Sequence, residues 1–139
     1  MSTAELDIFE AGMALIRDIP QRPPTAWPNV KDRDIPPTPA TDNDPCLWWD
    51  VRWFPNENSD PLWDDGPVRR VGFFQVLVHC RPNFGTAALT EAQRVIQNIP
   101  KGSKVASVVV SKQPWMAPAI DGDDWSMVPV TIPYDGMVF

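Results

Sequence analysis

From Val71 to Cys80 nearly every residue is apolar, and β-branched and aromatic types dominate. That pattern predicts a long strand over 68–80, covered on both faces. A Pro82/Gly85 turn leads into a second period, with Ala88, Leu89, Ala92, Val95, Ile96 and Ile99 recurring at helical spacing. The helix should run from Thr86, a candidate N-cap, to about Ile99, where Pro100 and Gly102 stop it. One helix covers one face of such a strand, so the rest of the chain must cover the other.

An N-terminal helix is predicted by Leu6, Phe9, Met13 and Ile16, widened by Ile8 and Leu15 and opened by a Ser2–Glu5 capping box. It ends at Asp18-Ile19-Pro20, since proline restricts the residue before it. Residues 20–46 hold eight prolines and almost no periodicity. Trp27, Val30 and Ile35 give this stretch apolar anchors, so it reads as an extended arm pinned at a few points, with a disordered linker as the alternative. A strand follows over 47–54, with Trp49, Val51 and Trp53 on one side and Trp48, Asp50, Arg52 and Phe54 on the other. After an acidic loop and the central strand and helix come a strand over 105–110, an extended Pro114–Pro118 segment and a last strand from Trp125 to about Ile132. The order predicts a single α+β domain over 1–139. Its four-stranded antiparallel or mixed sheet would carry both helices packed on one face, with the long arm between the first helix and first strand.

Composition changes this picture in two places. The 17 prolines, where about 7 are usual for this length, argue for long extended connections. The 7 tryptophans call for an aromatic core or aromatic contact surfaces. A net charge of −6 and a pI near 4.6 argue against binding along a phosphate backbone. Two cysteines make no disulfide framework, no signal peptide is apparent, and no apolar run approaches the ~20 residues of a membrane span, so a soluble protein in a reducing compartment is expected.

Catalytic chemistry is sparse. His79 is the only histidine, and strand alternation places it on the face opposite Cys80, so no Cys–His pair forms locally. One His and two separated Cys make no zinc pattern. Asp121-Gly122-Asp123-Asp124 fits no calcium-loop spacing and reads as a turn. No catalytic residue, cofactor site or metal site is expected. An enzymatic or ligand-binding reading would need a pocket around His79, Asp50 and Arg52.

The surface is more informative. Residues 55–66 contain acids and no bases, and the chain from Gln113 onward has aspartates but no lysine or arginine. Such stretches are either solvated loops or a surface past which something negatively charged must slide. Trp63, Trp115 and Met116 fall in loop contexts, where they either fold back on the core or form a protein interface. Trp27 and the terminal Phe139 join them as candidate interface residues.

Ile19-Pro20 closing the first helix, Trp27-Pro28-Asn29-Val30 in the arm, Gly72-Phe73-Phe74-Gln75-Val76, Arg81-Pro82 leading through Gly85-Thr86, and Val128-Pro129-Val130 together give an order and spacing. In that layout the chain resembles the tail terminator (tail completion) proteins of long-tailed bacteriophages. The Trp48-Trp49 pair and the high tryptophan content depart from that family's pattern. The resemblance implies a non-enzymatic virion protein, assembled in the host cytoplasm and located at the neck-proximal end of the tail. Its partners would be itself in a homohexameric ring, the tail tube protein and the head–tail connector, with no membrane. DNA would pass without specific binding, and Asp60, Asp64, Asp65, Asp121, Asp123 and Asp124 are the candidate lumen-facing acids. A neck protein of the head–tail joining or stopper type is the runner-up.

Overall fold

Two 13-residue strands form the spine of the computed structural model, which describes residues 4–28, 36–55, 68–106 and 108–138. β3 (Val68–Cys80) and β8 (Ser126–Val138) pair antiparallel along their whole length, from Val68 opposite Val138 to Cys80 opposite Ser126. β2 (Trp48–Pro55) pairs antiparallel with the other side of β3, from Trp48 opposite His79 to Pro55 opposite Gly72. β1 (Thr25–Ala26), from the arm, lies parallel on β2. On the far side of β8, three short strands follow one another: β5 (Val108–Val110), β6 (Trp115–Met116) and β7 (Ile120–Asp121). β4 (Lys104–Val105) closes that end on β5.

The sheet is therefore eight-stranded and mixed, and it curves into a half-barrel. The four-stranded sheet with two helices packed on one face is overturned. Three physical causes account for the difference. Ala106 adopts φ +51, which breaks the run 104–110 into two strands that fold on each other. β1, β6 and β7 are two residues each, too short to leave a period. The last strand continues through Pro133 to Val138, well past Ile132.

Strand alternation sets the core. Trp49 and Val51, Phe74, Val76 and Val78, and Val128, Val130 and Ile132 share one face and are buried. The opposite face of β3 is not sealed as expected: Phe73, Gln75 and His79 are only half-buried.

α1 (Ala4–Arg17) and α2 (Gly85–Asn98) bring Ile8, Ala11 and Ile16, and Ala88, Ala92, Val95 and Ile96, into the same apolar cluster. They do not lie side by side over a flat sheet. α1 packs at the β4–β5 end and crosses Phe74 at Gly12, whereas α2 lies over β3, β8 and β6. The predicted stripe of α1 is also rotated, because Leu6 is 54% exposed while Ile8 and Ala11 face inward. α2 is capped by Phe84, without a side-chain cap bond, rather than by Thr86. It stops as predicted, at Ile99, before Pro100 and a left-handed Gly102 (φ +92).

Both ends of the arm are fixed. Besides β1, Arg81 reaches back to it, with Nη1 donating to the carbonyls of Thr41, Asp42 and Asp44 at 3.3, 3.5 and 3.0 Å. The anchors assigned to Val30 and Ile35, and the cap assigned to Ser2, lie outside the described residues.

Candidate interaction surface

β1 covers β2 only at Trp49 and Asp50, so Val51–Pro55 has no sheet neighbour on that side among the described residues. An unpaired strand edge presents free backbone donors and acceptors. Along this edge runs a groove of about 910 Å³ whose walls include Leu6 and Phe9 of α1, Ala26–Pro28 of the arm, and Asp50–Phe54 of β2 itself.

The walls are held from behind. Trp53 donates from Nε1 to the Tyr134 hydroxyl at 3.0 Å, and its ring lies 5.4 Å from that of Phe9. Phe54 stacks on Phe73 at 4.9 Å and remains 38% exposed. Trp27 is half-buried beneath the Arg22 guanidinium, 5.1 Å from the ring centre, and Arg22 is tethered by donating to Thr25 Oγ1. Arg52 pairs with Asp50 at 3.0 Å on the outer face. The groove is thus aromatic, rigidly backed and open.

The far side of the sheet carries a second exposed patch. Trp115 pairs opposite Thr131 and Ile120 opposite Met127, so both stand on the outer face, 49% and 55% exposed. Met116, one residue on, points to the other face and packs against the core. The turn after β7 is closed by Gly122 N–H donating to the Trp125 carbonyl, and Ser126 Oγ donates to Asp121 Oδ1 at 3.0 Å. Asp121, Asp123 and Asp124 all lie exposed around this turn.

Of the residues singled out from sequence, Trp27 thus lines the groove, Trp115 and the three turn aspartates stand exposed at the opposite edge, and Met116 turns inward. Trp63, Phe139, Asp60, Asp64 and Asp65 lie outside the described residues. Leu6, Phe54 and Ile120 escaped the sequence reading. Leu6 fitted a helical stripe, and no pattern separates a two-residue strand such as β7 from a loop.

Asp50, Arg52 and His79 do share the outer face, but His79 stacks flat on Trp48 at 3.9 Å and its Nδ1–H donates to the Leu77 carbonyl. Burial pushes its pKa down, which keeps the ring neutral. The half-buried ring is held by that stacking and hydrogen bond. Cys80 faces the core, its thiol directed at the Phe84 carbonyl and its pKa raised by burial. Among the described residues no three His, Cys, Asp or Glu side chains gather as metal ligands, and no helix is long and apolar enough to cross a membrane.

Comparison with known proteins gives a family and a fold. The sequence model of the family described as "Phage tail terminator protein" matches residues 7–134. A solved structure bearing no functional description is similar to the chain with a TM-score of 0.63 and 24% identity, over 100% of this chain and 98% of the other. At that identity the likeness speaks for the fold alone. No curated protein matches the chain.

Proposed function

The chain belongs to the phage tail terminator family, a structural family of the virion tail, and on that premise we propose that it caps the tail tube as a homohexameric ring. The ring ends tube polymerisation on one side and offers its other side to the head–tail connector. The whole chain acts as one unit in this role, at the neck-proximal end of the tail, after assembly in the host cytoplasm. The family match over 7–134 is the observation that carries the reading.

The geometry supports it. Rings need two different surfaces on each protomer, and this fold has an open groove at one sheet edge and an exposed apolar patch at the other. A lumen that DNA traverses must not hold phosphates. Asp60, Asp64 and Asp65 are the residues we assign to it, since carboxylates repel the backbone that basic side chains would bind. Trp27, Trp63, Trp115 and Phe139 are assigned to contacts with neighbours, whereas Met116, packed on the core, is not.

The test is the mass of the protein in solution across a concentration series, with negative-stain images of the heaviest species, alone and with purified tail tubes. A six-membered ring with a central hole, free or at a tube end, is the expected result. Monomers under both conditions overturn the reading.

A further inference from the structure

We propose that the β2 groove receives the β6–β7 edge of a second copy of the chain, so that neighbouring protomers join head to tail through sheet edges. This deepens the ring reading and rests on it.

Three observations converge. First, both surfaces are strand edges lacking a neighbour among the described residues. β2 is uncovered from Val51 to Pro55, and β6 and β7 have β8 as their one sheet partner. Extended edges of this kind pair by adding strand to strand, with alternate side chains filling pockets. Second, the uncovered apolar residues are divided between these two edges. Of the five large hydrophobic side chains exposed among the described residues, Leu6 and Phe54 border the groove, and Trp115 and Ile120 stand on the far edge. Isolated apolar residues on a surface need no explanation, but two pairs at opposite ends of one sheet are the layout of a contact between different surfaces of like subunits. Third, the charges are complementary. Arg17 and Arg52 line the groove and its continuation, beside Asp18 at 4.0 Å and Asp50 at 3.0 Å, and Arg22 adds a guanidinium over the lining residue Trp27. The opposite edge carries Asp121, Asp123 and Asp124, and no lysine or arginine occurs from Gln113 onward. Opposed potentials orient the encounter, and the aromatic anchor Trp115 supplies the buried contact. Because the two surfaces differ and lie on opposite edges of a curved sheet, the contact repeats head to tail rather than ending at a dimer, as a closed ring requires.

The test uses two variants of the full chain. Leu6→Asp alters the groove in the first turn of α1, where an acid suits the helix dipole. Trp115→Ala/Ile120→Ala removes the far-edge anchors. All three positions are exposed, so both variants are expected to fold, as checked by far-UV circular dichroism and melting. Under the condition in which the parent assembles, free or on tubes, each variant alone needs at least about tenfold higher concentration to assemble. Mixed one to one, they form a 1:1 pair, since one intact groove meets one intact edge while the second contact is broken at both sides. Variants that assemble like the parent, or folded variants that stay monomeric when mixed, overturn this contact while leaving the ring reading in place. A parent that never assembles, even on tubes, overturns both.

Discussion

Gly12 is where α1 crosses the sheet, and a methyl group there should destabilise the protein despite being a better helix residue. A Cβ on Gly12 would lie 1.8 Å from Phe74 Cζ and 2.3 and 2.4 Å from its two Cε atoms. Ordinary carbon contact begins near 3.5 Å, so the ring would have to retreat by about 1.7 Å. It has nowhere to go: Phe74 is 1% exposed and packs on Tyr134, with ring centres 4.9 Å apart. Overpacking of this kind costs about 1–3 kcal/mol, and a clash with three ring atoms belongs at the upper end. The helix gains about 1 kcal/mol when alanine replaces glycine. The difference predicts a net loss of about 2 kcal/mol for Gly12→Ala, or roughly 5–10 °C in Tm for a chain of this size. Urea titration followed by tryptophan fluorescence reads this directly. Phe74→Leu in the same chain should recover part of the loss, so the two substitutions will be markedly less than additive. A Gly12→Ala protein as stable as the parent, or strict additivity with Phe74→Leu, refutes the close crossing.

Tyr134→Phe removes the acceptor of the Trp53 indole N–H and should cost about 1 kcal/mol in the same urea titration, with a shift in tryptophan emission. Arg81→Ala frees the carbonyls of Thr41, Asp42 and Asp44 from their shared donor, with an expected loss of about 1–2 kcal/mol. Hydrogen exchange should quicken around 40–46. The Asp44 carboxyl sits below its usual 3.8, because the amides of Cys46 and Ala40 donate to it at 2.9 and 3.1 Å. Its lowered folded pKa means that its contribution is present above pH 3.8 and is lost as pH falls through the folded value. Acid should therefore lower the protection of the Cys46 amide relative to its intrinsic exchange rate at each pH, and Asp44→Ala should abolish that acid dependence.

What the sequence conveyed, and what it hid, follows from element length. β3 was legible because valines and phenylalanines recur through its thirteen residues with no helical period among them. The stop of α2 was legible because Pro100 and Gly102 act locally. The Leu6 position was misread because Ile8 and Ala11 fit an inward stripe equally well, and only the glancing approach of α1 at Gly12 decides between them. The half-barrel was hidden because its added strands are held by β8 and β2 rather than by their own two residues. Half of the candidate interface was visible for the same reason. Trp27 and Trp115 stand out by type alone, whereas the groove exists only once α1, the arm and β2 are brought together.

The most direct test is to add the purified protein to elongating tail tubes and measure tube lengths, locating the bound protein on the tube ends by immunogold electron microscopy. A cap at one end only, with elongation arrested there, is the predicted result. Tubes that keep growing at their normal rate with no protein at either end would contradict the central claim.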